Sequence, residues 1–172
     1  MATVGGVISG FTIIDADSYQ AVFTADDGID MTGSVTVNAS YTDLAGDPGL
    51  AGSDTVAIDT LNPTVVVNLV DSQLTDGDTS SLVTFEFSED MTGFDINDLT
   101  PANGLITGFT VIDGDSYEAT FTADDGVDAL GQVTVATTYT DLLGNAGNGG
   151  SDTVEIDTLN PTATSIVRAN AD

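Results

Sequence analysis

Aspartates come in close pairs along this chain: Asp26 with Asp27, Asp76 with Asp78, Asp113 with Asp115, and Asp124 with Asp125. The 28 acidic residues, 24 of them Asp, face a single cation, Arg168, for a formal net charge of −27. The chain has no His and no Cys, which removes imidazole acid–base chemistry and thiolate catalysis. Two chemistries remain for oxygen-only side chains. One is glycoside hydrolysis by a carboxylate pair. The other is coordination of a hard cation, above all Ca²⁺, which takes about six to eight oxygens at roughly 2.3–2.6 Å in flexible geometry. The short motifs are weak by themselves. D-x-D pairs are common in hairpin turns, the EF-hand loop D-x-[DN]-x-[DN]-G with its following Glu is absent, and GNAGNGG at 144–150 follows no phosphate-binding pattern. That last stretch reads as a flexible loop or a source of metal-binding carbonyls.

The charge also limits partners. With one cationic side chain the protein cannot meet a phosphate backbone, so nucleic acid is excluded, as is electrostatic docking on an anionic bilayer. No run of 18 apolar residues offers a membrane span. The carboxylates repel one another in any compact state unless counterions screen or bind them. Absence of Cys rules out disulfides and thiolate metal sites and leaves the compartment open. The start, MATVGGVISG, has no basic, apolar leader pattern, so the expectation is either a secretion signal elsewhere or a fragment of something longer.

IDTLNPT occurs at 58–64 and again, letter for letter, at 156–162. Pairing residue n with n+98 from Met1 to Thr64 gives 40 identities in 64 positions without a gap. A tandem unit of 98 residues follows. If units begin after NPT, residues 65–162 are one complete unit, 1–64 are the back two-thirds of the previous one, and 163–172 open a third.

Within the complete unit the apolar period is two. VTFEF (83–87) puts Val83, Phe85 and Phe87 on one face, and SYEATFT puts Tyr117, Ala119 and Phe121 inward. QVTVATTYT (132–140) turns Val133, Val135 and Tyr139 inward, and DTVEID (152–157) does so with Val154 and Ile156. TVVVNLV (64–70), LT (99–100) and LITGFTVI (105–112) complete about seven strands separated by Asp, Gly, Asn and Ser. That predicts an all-β chain of tandem immunoglobulin-like β-sandwich modules, about 98 residues each.

Alternating strand directions from the first strand sort the loops onto two ends. The entry end holds 88–95, 113–116 and 141–150; the exit end holds 71–78, 123–128 and Asp157. Nearly every Asp lies at an end and not on a sheet face. The expected metal ligands are Asp26, Asp27, Asp30, Asp59 and Asn62 on the exit side of the first unit. Facing them are Glu89, Asp90, Asp95, Asp113, Asp115 and Asp141 on the entry side of the second. Asp76, Asp78, Asp124, Asp125 and Asp157 form the next exit end. Two bare acidic rims repel, and calcium between them would convert that repulsion into a stiff joint, helped by Pro63 in the connector. Asp at loop ends also forms turns and caps with no metal at all.

FEFSEDMTGFDINDLT (85–100), YTDLLGNAG (139–147, with YTDLAGDPG at 41–49) and IDTLNPT together resemble the bacterial Ig-like repeats of giant RTX-type adhesins. The resemblance covers essentially the whole chain. It implies secretion by type I machinery, an extracellular place on the bacterial surface, calcium at module junctions, and an array that projects a distal adhesive domain. In this resemblance Asp59 and Asp157 match the connector aspartate, and Asp43 and Asp141 match the Asp of T-D-L-x-G-N. The first copy departs from the pattern, with Asp47 and Pro48 where the second has Asn145 and Ala146. TATSIVRANAD at the end resembles the opening of a different module type.

The expected function is therefore a calcium-stiffened extender segment, not an enzyme, whose partners are neighbouring modules and, in a filament, other copies. A filament or surface-layer subunit and a calcium-dependent sugar-binding module are the alternatives. The glycosidase reading lacks an expected cleft, and sugar binding wants exposed aromatics where the periodicity predicts inward ones.

Overall fold

The computed structural model describes residues 1–167. The chain divides into two compact units, Met1–Asn62 and a second beginning at Pro63. Unit 1 contains β1 (Ala2–Val4), β2 (Gly6–Ile13), β3 (Tyr19–Ala25), β4 (Asp30–Val37) and β5 (Gly52–Asp59). Unit 2 contains β6 (Val65–Leu69), β7 (Gln73–Thr75), β8 (Ser80–Phe87), β9 (Met91–Thr92), β10 (Leu99–Ala102), β11 (Gly104–Val111), β12 (Ser116–Ala123), β13 (Asp128–Val135), β14 (Thr140–Asp141) and β15 (Gly150–Asp157). A single 3₁₀ turn, Ile96–Asp98, is the only helical element among the described residues.

Unit 2 is an immunoglobulin-like sandwich. One sheet has the order β11-β12-β8-β6 and the other β10-β13-β15-β7. All pairs in these two sheets are antiparallel except β15 with β7. This is the four-plus-three strand division of the constant-type immunoglobulin fold, with a short extra strand on the second sheet. The alternation read from sequence is the one the sheets use. Val83, Phe85, Phe121, Val133, Val135, Val154 and Ile156 are buried between them, because period-two side chains of two facing sheets can share one core. A bulge between Thr107 and Thr110 bends β11, and Gly108 takes the φ of 64° that it needs.

Three features differ from the sequence reading. The first strand ends at Leu69, close to where the sequence places it, but an unexpected strand follows it. The chain crosses to the other sheet and forms β7 parallel to β15, with Leu74 opposite Ile156 and fully buried. A three-residue strand between Asp, Ser and Gly is too short to show a period. The 88–95 segment is also more than a rim loop. Met91 and Phe94 are buried, and Phe94 packs against Phe85, Phe87, Phe109, Tyr117 and Tyr139. Third, the 132–140 strand stops at Val135, where the Ala136 N–H turns to the Asp98 carbonyl.

Unit 1 has the sheet β1-β4-β5 and the hairpin β2-β3. By the 98-residue offset these correspond to β10-β13-β15 and β11-β12. Residues 163–167 carry no strand, and the rest of the expected third module, 168–172, lies outside the described residues.

Candidate metal centre

At the entry end of unit 2 the structure gathers two acidic groups. The first is Glu89 with Asp141, whose carboxylate oxygens approach within 4.8 Å. Asp141 is 1% exposed and its orientation is fixed. Its Oδ1 accepts from the backbone N–H of Leu143, Gly144 and Asn145 at 2.6–2.8 Å, and Oδ2 accepts from the Asn145 side chain at 2.7 Å. Burial alone would push this carboxyl up. The hydrogen bonds from the Asn145 side chain and the three backbone N–H groups outweigh it and hold the group below its ordinary value. Asp141 is thus kept as an anion by the loop that it organises.

That loop explains the T-D-L-x-G-N stretch. Tyr139 donates its hydroxyl to the Asn148 carbonyl, and the Gly147 N–H returns to the Tyr139 carbonyl at 3.0 Å. The tyrosine ring occupies the space where a side chain at 147 would lie, so glycine is required there. In the first copy Asp43 plays the corresponding part. Its Oδ1 accepts from the N–H of Ala45 at 2.8 Å and of Asp47 at 2.9 Å, although this loop is exposed throughout.

The second group is Asp90, Asp113 and Asp115 beside Tyr117. Tyr117 donates to the Gly114 carbonyl at 3.1 Å. Burial first, then the charges of Asp90, Asp113 and Asp115, raise its hydroxyl above the ordinary value. Asp113 is held low, chiefly by its hydrogen bond with the Asp115 side chain and then by Ser116. It also caps the hairpin turn, accepting from the Ser116 N–H at 2.9 Å. Asp95 is committed to the 3₁₀ turn as its N-cap, with Oδ1 accepting from Asn97 N–H.

The exit-end residues are distributed differently. Asp76 and Asp78 sit in a turn closed by reciprocal Thr75–Asp78 backbone bonds at 2.9 and 3.0 Å. Asp124 and Asp125 occupy the 124–127 loop, and Asp157 ends β15 directly opposite Asp128. In unit 1, Asp26 and Asp27 occupy the matching loop, Asp59 ends β5 opposite Asp30, and Asn62 is exposed. Like charges facing across a sheet are unfavourable by themselves. Asp59 additionally accepts from Leu61 N–H at 3.2 Å, shaping the start of the connector.

Three residues escaped the sequence reading, two of them the same threonine of the repeated IDTLNPT. Thr158, 1% exposed, donates Oγ1 to the Asp124 carbonyl at 2.8 Å and accepts from Val127 N–H at 2.9 Å. Thr60 does the same to Asp26 and Ile29, at 2.9 and 3.1 Å. The Thr of IDTLNPT therefore clips the acidic loop onto the end of the last strand. Its identical recurrence at both positions was the available signal. Asp98 is the other: it is buried, accepts from Asp95 N–H at 2.8 Å, and bonds the Thr138 hydroxyl.

The donors at both ends are carboxylate, carbonyl and amide oxygens, which suit a hard cation. The oxygens of Glu89 and Asp141, within 4.8 Å of each other, fall inside the span of about 5 Å that two ligands of one calcium ion can have. Among the described residues no helix is long and apolar enough to cross a membrane.

A family model for the bacterial Ig-like domain matches residues 59–164, more than half of the chain. No curated protein and no solved structure is matched. Bacterial Ig-like domains are typically structural and non-enzymatic, and are often extracellular or surface-exposed. On this match and on its strand order, the chain belongs to the bacterial Ig-like domain family.

Proposed function

We propose that this chain is a calcium-stiffened extender segment of a large, secreted, RTX-type bacterial surface adhesin, which holds a distal adhesive domain away from the cell and so supports adhesion or biofilm formation. The observation that carries the reading is the collection of carboxylates at the loop ends of a tandemly repeated sandwich, in a chain with one cation among 172 residues. The proposed ligands come from the exit end of one repeat and the entry end of the next. Asp59 is the strand-terminal carboxylate just before the Pro63 connector, and Glu89 and Asp141 bring carboxylate oxygens within 4.8 Å of each other in unit 2. Asp157 would serve the following module in the same way. What calcium supplies is charge neutralisation and a fixed joint; what the chain supplies is oxygens at prepared positions.

A sugar-binding module has less support. In unit 2 Phe85, Phe87, Phe94, Tyr117 and Tyr139 are all buried, which leaves them no face on which to stack a sugar ring. The testing experiment is small-angle scattering of a chain of two complete repeats, with and without calcium. Wild type should pass from a broad ensemble to one extended shape, and Asp59→Ala should stay broad. Equal straightening of the variant would show that Asp59 is a strand terminator only.

A further inference from the structure

In unit 2 the run from Val65 to Thr75 accompanies β15 from its first residue to its last, in the same direction. At the start, a side chain at Gly150 would stand 2.8 Å from Val65 Cγ1, so glycine lets the two segments close up. Farther along, the Glu155 N–H donates to the Ser72 carbonyl at 3.3 Å. β7 then pairs in parallel with the end of β15: Gln73 with Glu155, Leu74 with Ile156, Thr75 with Asp157. Between these points the chain changes sheets, and a side chain bridges the gap. Val70 turns its N–H to the Leu82 carbonyl of β8, so the N–H of neighbouring Leu69 points to the other edge of the strand. There Asp152 Oδ2 accepts it at 2.8 Å. β6 is itself held along β8 from Val65 opposite Phe87 to Leu69 opposite Val83. Thr64 and Ser88 are tied by two bonds of 3.0 Å, and Val67, Leu69 and Leu74 are buried.

We infer that Val65–Thr75 and β15 form a force-bearing clamp, in which Asp152 and Leu74 hold the front of the module to its last strand. Tension along the chain enters unit 2 just before Val65 and leaves just after Asp157. Parallel strands have those two points at opposite ends, so the pull slides one strand along the other and loads the bonds together. Were the strands antiparallel, both points would lie at one end and the bonds would open one after another. Forced unfolding is governed by the barrier to leaving the native state, and a jointly loaded set raises it. The clamp consists of backbone bonds, the Asp152 carboxylate and buried apolar side chains, and it needs no metal. The inference rests on the extender reading only for the statement that the module carries tension.

The test is single-molecule pulling of the full chain. Because the sequence has no Cys, paired cysteines place the handles uniquely. Leu61→Cys with Leu159→Cys loads the clamp in shear; Gly77→Cys with Leu159→Cys pulls β7 and β15 apart from their common end. The first pair should rupture unit 2 at a force at least about twice that of the second, in EDTA and in calcium alike. Asp152→Ala and Leu74→Ala should each lower the shear force toward the peeling force, and Asp152→Asn, which keeps an acceptor oxygen, should restore most of it. Ile106→Ala in β11, a core truncation as large as that of Leu74, should leave the shear force nearly unchanged. Equal forces in the two geometries, no effect of Asp152→Ala, or an equal loss from Ile106→Ala would each overturn the clamp. Absence of calcium-induced straightening in scattering would count against the extender reading and leave this force ratio as it is.

Discussion

Replacing Thr158 by Val isolates the clip that ties the 124–127 loop to the end of β15. Valine keeps the shape and the β-branched preference for extended backbone, so the core around position 158 is unchanged. Two hydrogen bonds disappear: Oγ1 to the Asp124 carbonyl, 2.8 Å, and Val127 N–H to Oγ1, 2.9 Å. Asp124 is exposed, so water can satisfy its carbonyl. Val127 is half-buried, and its N–H loses its partner beside a residue that is 1% exposed. Two lost bonds at about 1 kcal/mol each, one leaving a poorly hydrated donor, give roughly 2 kcal/mol. For a module of this size that is a fall in Tm of roughly 8–16 °C. The assay is differential scanning calorimetry of wild type and Thr158→Val at pH 7, with Thr158→Ser as a control that keeps the hydroxyl. A fall below about 2 °C for the valine variant would refute the reasoning, because it would show the loop seated without the clip.

Asp141→Ala should cost about 2–3 kcal/mol at pH 7, since it removes a charged acceptor from three backbone N–H groups. The folded carboxyl is held low, so its stabilisation is present above about pH 4, the ordinary Asp value, and is lost as pH falls through the depressed one. Urea titrations from pH 7 to 2 should therefore show wild type and variant converging in acid; a constant gap would contradict this. Gly131→Ala should destabilise unit 2 by about 1–3 kcal/mol, because a Cβ there would stand 2.7 Å from Ile156 Cδ1 and 3.0 Å from Phe121 Cζ. A neutral result in the same titration would mean that the sheets separate more readily than their packing implies.

Much of the fold was legible because a sandwich writes its core in period two. The inward positions Val83, Phe85, Val133 and Ile156 were readable one by one, and counting strand reversals sorted the loops onto two ends. Short elements were not legible. β7 has three residues, and Leu74 joins the core by a sheet crossing that no local pattern announces. Phe94 lies among Asp, Gly and Met in an apparent loop, and only its partners across the sandwich show that it plugs the aromatic cluster. The candidate site was legible in composition but not in division of labour. Sequence alone could not separate Asp141, which is buried and organises a loop, from Asp76 and Asp78, which shape an exposed turn. Nor could it show that Asp95 caps while Asp98 is buried, since both stand in one D-x-x-D stretch. The Thr in IDTLNPT was visible twice, yet its role depends on carbonyls 34 residues away.

The central claim is that the acidic ends bind calcium specifically, as distinct from being screened by salt. Its most direct test is the melting temperature of the whole chain in about 10 mM CaCl₂ against NaCl and MgCl₂ of the same ionic strength. With an affinity near 10⁻⁴ M, each site adds about 2.7 kcal/mol. The account predicts a rise in Tm of roughly 10–20 °C in calcium over sodium, with magnesium giving much less. Equal melting temperatures in calcium and sodium would contradict it, leaving the carboxylates as turn formers and a solvated surface.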